Sequence, residues 1–141
     1  MSTDTRTSIL IVEDNDAVRA ALAPWLSALF PSVRVDSVRT AREGISAVRR
    51  TAPRVVVLDL RMPSIDGIEA TRRIKARAPL TSVVIFTLCD AQAYRAAAEA
   101  AGASDYVLKH RSHLELEPAL RRILDGTAPA LACGRTATLS A

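Results

Sequence analysis

Val55-Val56-Val57-Leu58-Asp59 is a run of four apolar residues that ends on a carboxylate. It is short, unbroken, rich in β-branched residues and bounded by Pro53, as expected of a strand buried on both faces of a parallel sheet. Packing alone gives no reason for Asp59, because a buried carboxylate is costly unless paired or metal-bound. An Asp here could simply bond its own downstream backbone in a turn. That explanation weakens once the other strands are found, because they end in matching chemistry.

Ile9-Leu10-Ile11-Val12 is a second such run, ending on Glu13-Asp14. Asn15 and Asp16 supply a cap and a first-turn acid for a helix whose apolar positions Val18, Ala21, Leu22, Trp25, Leu26 and Leu29 follow the helical period. Pro24 lies inside that pattern and is expected to kink or interrupt it. Val33, Val35 and Val38, with polar residues between, suit an edge strand. Thr40-Ala41-Arg42-Glu43 predicts a capping box opening a helix to about Arg50. After Asp59 comes a turn-rich loop, Arg61 to Gly67, with Ile65, Ile68, Ala70 and Ile74 assigned to a third helix. Val83 to Phe86 is a fourth strand ending at Thr87. Ala91 to Ala101 is an Ala-rich helix stopped by Gly102. Asp105 to Leu108 is a fifth strand ending on Lys109. Ser112-His113-Leu114-Glu115 is expected to be a second capping box, opening a helix with Leu116, Leu120, Ile123 and Leu124 on its apolar face.

Five strand–helix units in strict alternation predict an α/β domain: an open parallel sheet with helices on both faces and right-handed crossovers. Residues 1–7 are expected to be a disordered N-terminus, 8–125 the domain, and 126–141 a flexible C-terminal tail. No glycine-rich phosphate loop follows the first strand, which argues against a dinucleotide or nucleotide cofactor.

The 141 residues are one domain's worth of chain, and 49% apolar composition excludes disorder. No apolar run approaches the ~20 residues of a membrane span, and Met1 to Ser8 lacks the features of a signal peptide. Cys89 and Cys133 fit no metal or disulfide spacing, so a reducing cytoplasm is the expected location. The net charge is +4 and the pI about 9.7. In sequence the arginines are scattered (Arg19, Arg34, Arg39, Arg49, Arg72, Arg95, Arg121), without a dense cluster or interleaved aromatics. That pattern favours ordinary solvated helix faces over a nucleic-acid patch. His110 and His113 are assigned to solvated positions.

In an open parallel sheet, sites form at the carboxyl ends of the strands. This chain places Glu13, Asp14, Asp59, Thr87 and Lys109 there. Clustered carboxylates repel, and a hard divalent cation with oxygen ligands, Mg²⁺, relieves that penalty. A carboxylate such as Asp59 can then act as nucleophile towards phosphorus, with Lys109 neutralising phosphoryl oxygens.

The segments 9–15, 55–63, Asp66-Gly67, the strand ending at Thr87 and Gly-Ala-Ser-Asp-Tyr-Val-Leu-Lys (102–109) together resemble the receiver domain of the response-regulator family in two-component signalling. The resemblance covers about Ser8 to Asp125. It implies a flavodoxin-like doubly wound fold with strand order 2-1-3-4-5 and five helices. It also implies a non-enzymatic phosphoacceptor switch, with at most self-catalysed phosphorylation and dephosphorylation. Asp59 would be the phosphoacceptor. Asp14, Glu13, Asp59 and the backbone carbonyl of Arg61 would hold Mg²⁺, and Lys109 would pair with the phosphoryl group. Thr87 and Tyr106 would be the switch residues that reshape the face of helix 4, strand 5 and helix 5. Implied partners are a histidine kinase or histidine phosphotransfer protein, with a homodimer through that face, no direct DNA binding and no membrane contact. The alternative is the receiver portion of a DNA-binding regulator, because residues 126–141 are too few for a three-helix output module. Aspartyl-nucleophile hydrolases fit less well: they place the nucleophile on the first strand with an acid two residues on, where this chain has Arg61. Two departures from the family stand out. His110 follows the Lys where many members have Pro, and Leu88 follows Thr87 where a small residue is common, so its bulk is expected to narrow access to Asp59.

Overall fold

The computed structural model of the chain describes residues 6–126. Most of the expected N-terminal extension and C-terminal tail lies outside the described residues. The elements are β1 (Ser8–Val12), α1 (Asp16–Leu29), β2 (Arg34–Val38), α2 (Ala41–Thr51), β3 (Val55–Leu58), α3 (Gly67–Arg77), β4 (Ser82–Thr87), α4 (Gln92–Ala101), β5 (Asp105–Leu108) and α5 (Ser112–Leu124). A 3₁₀ turn, Lys109–Arg111, joins β5 to α5. The sheet order is β2-β1-β3-β4-β5 with every pairing parallel. This is the doubly wound fold expected from the alternating units.

The period-2 geometry of the strands splits their apolar residues into two cores. Leu10, Val12, Val56, Leu58, Val83 and Ile85 meet α2, α3 and α4 on one face. Ile9, Ile11, Val55, Val57, Val84 and Phe86 meet α1 and α5 on the other. Unbroken apolar runs are therefore required in β1, β3 and β4, and each fully buried side chain contributes about 1.5–3 kcal/mol. β2, at the edge, is only partly buried.

Three local expectations are corrected. Pro24 does not interrupt α1, which runs through it. Both Pro24 and Ala20, whose carbonyl loses its helical donor, are on the exposed side, where water can replace that bond. Ile65 precedes α3; it is buried from the loop, and the helix is capped by Asp66, whose Oδ1 accepts from Glu69 N–H at 2.9 Å. Ser112 is not a cap, because the 3₁₀ turn carries helical backbone into it and no side-chain bond caps α5. The Thr40 cap is present: Thr40 Oγ1 accepts from Glu43 N–H at 3.1 Å and donates to Glu43 Oε1 at 3.0 Å.

Candidate functional site: an acidic pocket at the carboxyl edge of the sheet

Parallel winding brings the exits of β1, β3, β4 and β5 to one edge. The ladder continues one residue beyond the strand ends. Glu13 N–H donates to Val38 O and Asp59 N–H to Val12 O, each at 3.2 Å. These bonds hold the first acids of the β1 and β3 exits beside each other. Gly67 fixes the far side of the Asp59 loop. Its N–H donates to Leu60 O at 2.7 Å, and a Cβ there would lie 2.6 Å from Asp59 O. Only a hydrogen fits at that approach.

Carboxylate oxygens of Glu13, Asp14 and Asp59 lie within 4.8 Å of one another. Glu13 is 1% exposed and Asp59 7%, whereas Asp14 is open to solvent. Lys109 Nζ reaches between the two buried acids, 2.6 Å from Glu13 Oε1 and 3.1 Å from Asp59 Oδ2. The Glu13 contact is a charge pairing outside good hydrogen-bond directions, so Oε1 has no satisfying donor. Glu13 Oε2 accepts from Asn15 N–H at 3.1 Å, and Asp59 Oδ1 from Arg61 N–H at 3.3 Å.

Burial pushes the Glu13 carboxyl above its usual range, and the Lys109 charge and the Asn15 N–H bond recover only part of the cost. For Lys109, burial acts to lower the pKa, but Glu13 and Asp59 outweigh it and the ammonium is held above its usual value. Lys109 is thus a permanent cation. Glu13 is an under-compensated buried acid whose Oε1 has only the charge of Lys109 beside it, and with Asp14 and Asp59 it makes a donor set that suits a hard divalent cation. The residues present fit Mg²⁺.

Beside the acids is a pocket of about 270 Å³ lined by Asp59, Arg61, Thr87, Leu88, Cys89 and Lys109. Leu88 stands at its mouth, 71% exposed. Thr87 and Tyr106 are both buried and are joined through one residue that sequence reasoning passed over. Cys89 N–H donates to Thr87 Oγ1 at 3.3 Å, and Tyr106 O–H donates to Cys89 O at 2.6 Å. The Arg95 guanidinium lies over the Tyr106 ring at 4.6 Å and pairs with Asp90 at 2.9 Å. The role of Cys89 is carried by its backbone, so residue type gave no signal. His110 and His113 are exposed, as expected.

The response regulator receiver domain profile matches residues 9–121. The chain belongs to the response-regulator receiver family. This receiver is 33% identical over 132 residues to response regulator MprA of Mycolicibacterium vanbaalenii, covering 94% of the chain and 56% of the relative. It is 30% identical to response regulator GacA of Pseudomonas aeruginosa, covering 84% of the chain and 55% of the relative. It therefore spans about half the length of these relatives. A two-component response regulator of the LuxR family from Aurantimonas has a crystal structure that superposes with a TM-score of 0.80 at 34% identity, covering 88% of this chain and 89% of that one. Receivers of this family act as phosphoaccepting switches in two-component signalling and bind Mg²⁺ in their acidic pocket. No helix among the described residues is long and apolar enough to cross a membrane.

Proposed function

We propose that this receiver is phosphorylated on Asp59 in a Mg²⁺-dependent reaction by a histidine kinase or histidine phosphotransfer protein. The observation that carries the reading is Lys109 bridging Glu13 and Asp59 at an edge where three carboxylates meet. Glu13, Asp14, Asp59 and the Arg61 carbonyl would hold the ion, which supplies charge neutralisation at the phosphoryl oxygens. An Asp59 carboxylate oxygen attacks the phosphorus of a phosphohistidine, the new P–O bond forms as the P–N bond breaks, and the electron pair leaves with the imidazole nitrogen. Lys109, already within 3.1 Å of Asp59, turns a donor towards the transferred group.

Thr87 then turns its O–H to donate to the phosphoryl group, which draws Oγ1 away from the Cys89 N–H it accepts from and loosens the Cys89 segment that Tyr106 also holds. The change reaches the α4–β5–α5 face, where Ala96 and Ala100 are exposed and permit close approach of a second copy or a partner. The described residues form no DNA-reading module, so sequence-selective DNA binding is not expected of them. Incubation with acetyl phosphate and Mg²⁺ should add one phosphoryl mass to wild type and none to Asp59→Asn. An equal adduct on Asp59→Asn, or none on wild type, would refute the assignment.

A further inference from the structure

The arginines that look scattered in sequence are sorted by the fold onto one layer. Helices α2 and α3 pack side by side over one face of the sheet. They carry Arg42, Arg49, Arg50, Arg72, Arg73 and Arg77, all exposed, against only Glu43 and Glu69. Glu69 is already shared between Arg72 and Arg73, at 3.1 and 3.0 Å. Glu43 accepts from its cap, Thr40. Arg42, Arg49, Arg50 and Arg77 have no carboxylate partner among the described residues. The remaining cation, Lys75, is turned onto the carbonyls of Pro79 and Thr81, each at 2.8 Å.

The other helices show no such excess. α4 has one cation and one acid, Arg95 and Glu99. On the opposite face of the sheet α1 and α5 carry three of each, and their arginines are paired: Arg19 with Asp16, Arg121 with Glu117, Arg122 with Asp105. Arginines serving only to solvate helices would charge both layers alike. The helix dipole accounts for Arg49, Arg50 and Arg77, which occupy last turns. It opposes Arg42 in the first turn of α2, and it gives no reason for Arg72 and Arg73 at mid-helix.

What this face lacks narrows what it can hold. Among the described residues the exposed large apolar side chains are Leu80, Leu88, Tyr94 and Leu114, and none lies on α2 or α3. A protein partner would find no apolar anchor there, a bilayer would receive no inserted side chain, and a single strand would have no ring to stack on. The phosphates of a duplex need only cations, and guanidinium forks match their oxygens. Packed helices lie about 8–10 Å apart, so long side chains on two of them reach the phosphate rows on either side of a major groove about 12 Å wide. We propose that the α2–α3 face binds duplex DNA through its phosphates without reading sequence. This departs from the solvated-face reading of the same arginines in sequence and leaves sequence-selective binding unexpected.

The test is fluorescence anisotropy on the full chain with a labelled duplex of arbitrary sequence, between about 50 and 200 mM salt. The duplex should bind with a steep salt dependence, and a shuffled duplex should bind equally. Each phosphate contact contributes about 0.9 to the logarithmic salt slope. Arg49→Gln/Arg73→Gln should therefore make the slope shallower by about 2 and weaken binding by about tenfold or more at the lower salt. Arg111→Gln/Arg121→Gln removes the same charge beside α1 and α5 and should bind as wild type does. No duplex binding at about 50 mM salt overturns the proposal. So does an equal loss in the Arg111/Arg121 variant, which would mark a net-charge effect, or tighter binding of the single strand than of the duplex. Capture by phosphatidylserine vesicles without capture by duplex would assign the face to a membrane and overturn it too. Should the Arg49/Arg73 variant fail to fold, amide shifts in wild type on adding duplex decide. Shifts at Ser46, Arg50, Arg72 and Ala76 support the face, and shifts confined to α1 and α5 refute it.

Discussion

Gly67→Ala isolates the steric device that sets the Asp59 loop. The added Cβ would lie 2.6 Å from Asp59 O, 2.6 Å from Leu60 Cα and 3.1 Å from Leu60 O. All three are backbone atoms, so no rotamer change relieves the overlap. Gly67 N–H is also tied to Leu60 O at 2.7 Å, and retreat of the loop stretches that bond. Overpacking costs about 1–3 kcal/mol and a weakened hydrogen bond about 1. Against these stands a gain of about 0.4–1 kcal/mol from the lower chain entropy of alanine. The net loss is about 1–3.5 kcal/mol, with a lower urea midpoint at unchanged slope. Because the displaced atoms belong to Asp59 and Leu60, phosphorylation by acetyl phosphate should slow in the folded variant. A variant within about 0.3 kcal/mol of wild type that is phosphorylated at the wild-type rate would show that the loop has room, and the steric argument would fail.

Asp14→Ala should weaken Mg²⁺ binding by more than about tenfold while leaving stability equal or higher, because it relieves carboxylate repulsion; titration calorimetry and thermal melts report both. For Glu13, the folded state holds the proton more tightly than the unfolded state. Ionised Glu13 therefore costs stability at neutral pH, and the cost fades as pH falls towards its raised pKa. Glu13→Gln should be more stable than wild type in metal-free buffer, by a margin that shrinks on acidification; a margin that grows would reverse the sign. Tyr106→Phe removes the 2.6 Å bond to Cys89 O and should cost about 1 kcal/mol in urea unfolding, with Asp59 still phosphorylated.

Much of this protein was legible before folding, for physical reasons that act locally. Buried parallel strands must be apolar throughout, so β1, β3 and β4 announced themselves, and strict alternation with helical periods left one fold class. The candidate acids, Thr87 and Lys109 were legible because each directly ends or follows a strand, and parallel strands share one carboxyl edge. What residue type could not carry was set by backbone geometry. The 3₁₀ turn displaced the expected cap at Ser112, and the Cys89 link between Thr87 and Tyr106 runs through main-chain atoms that every residue possesses. The meeting of four arginines at the edge of the sheet opposite Asp59 was hidden for the complementary reason. Arg6, Arg49, Arg54 and Arg77 come from the ends of different elements, and only winding successive units in parallel brings strand entries and helix ends to one place. Sequence determines which residues stand at each end of an element; tertiary structure alone decides which ends meet.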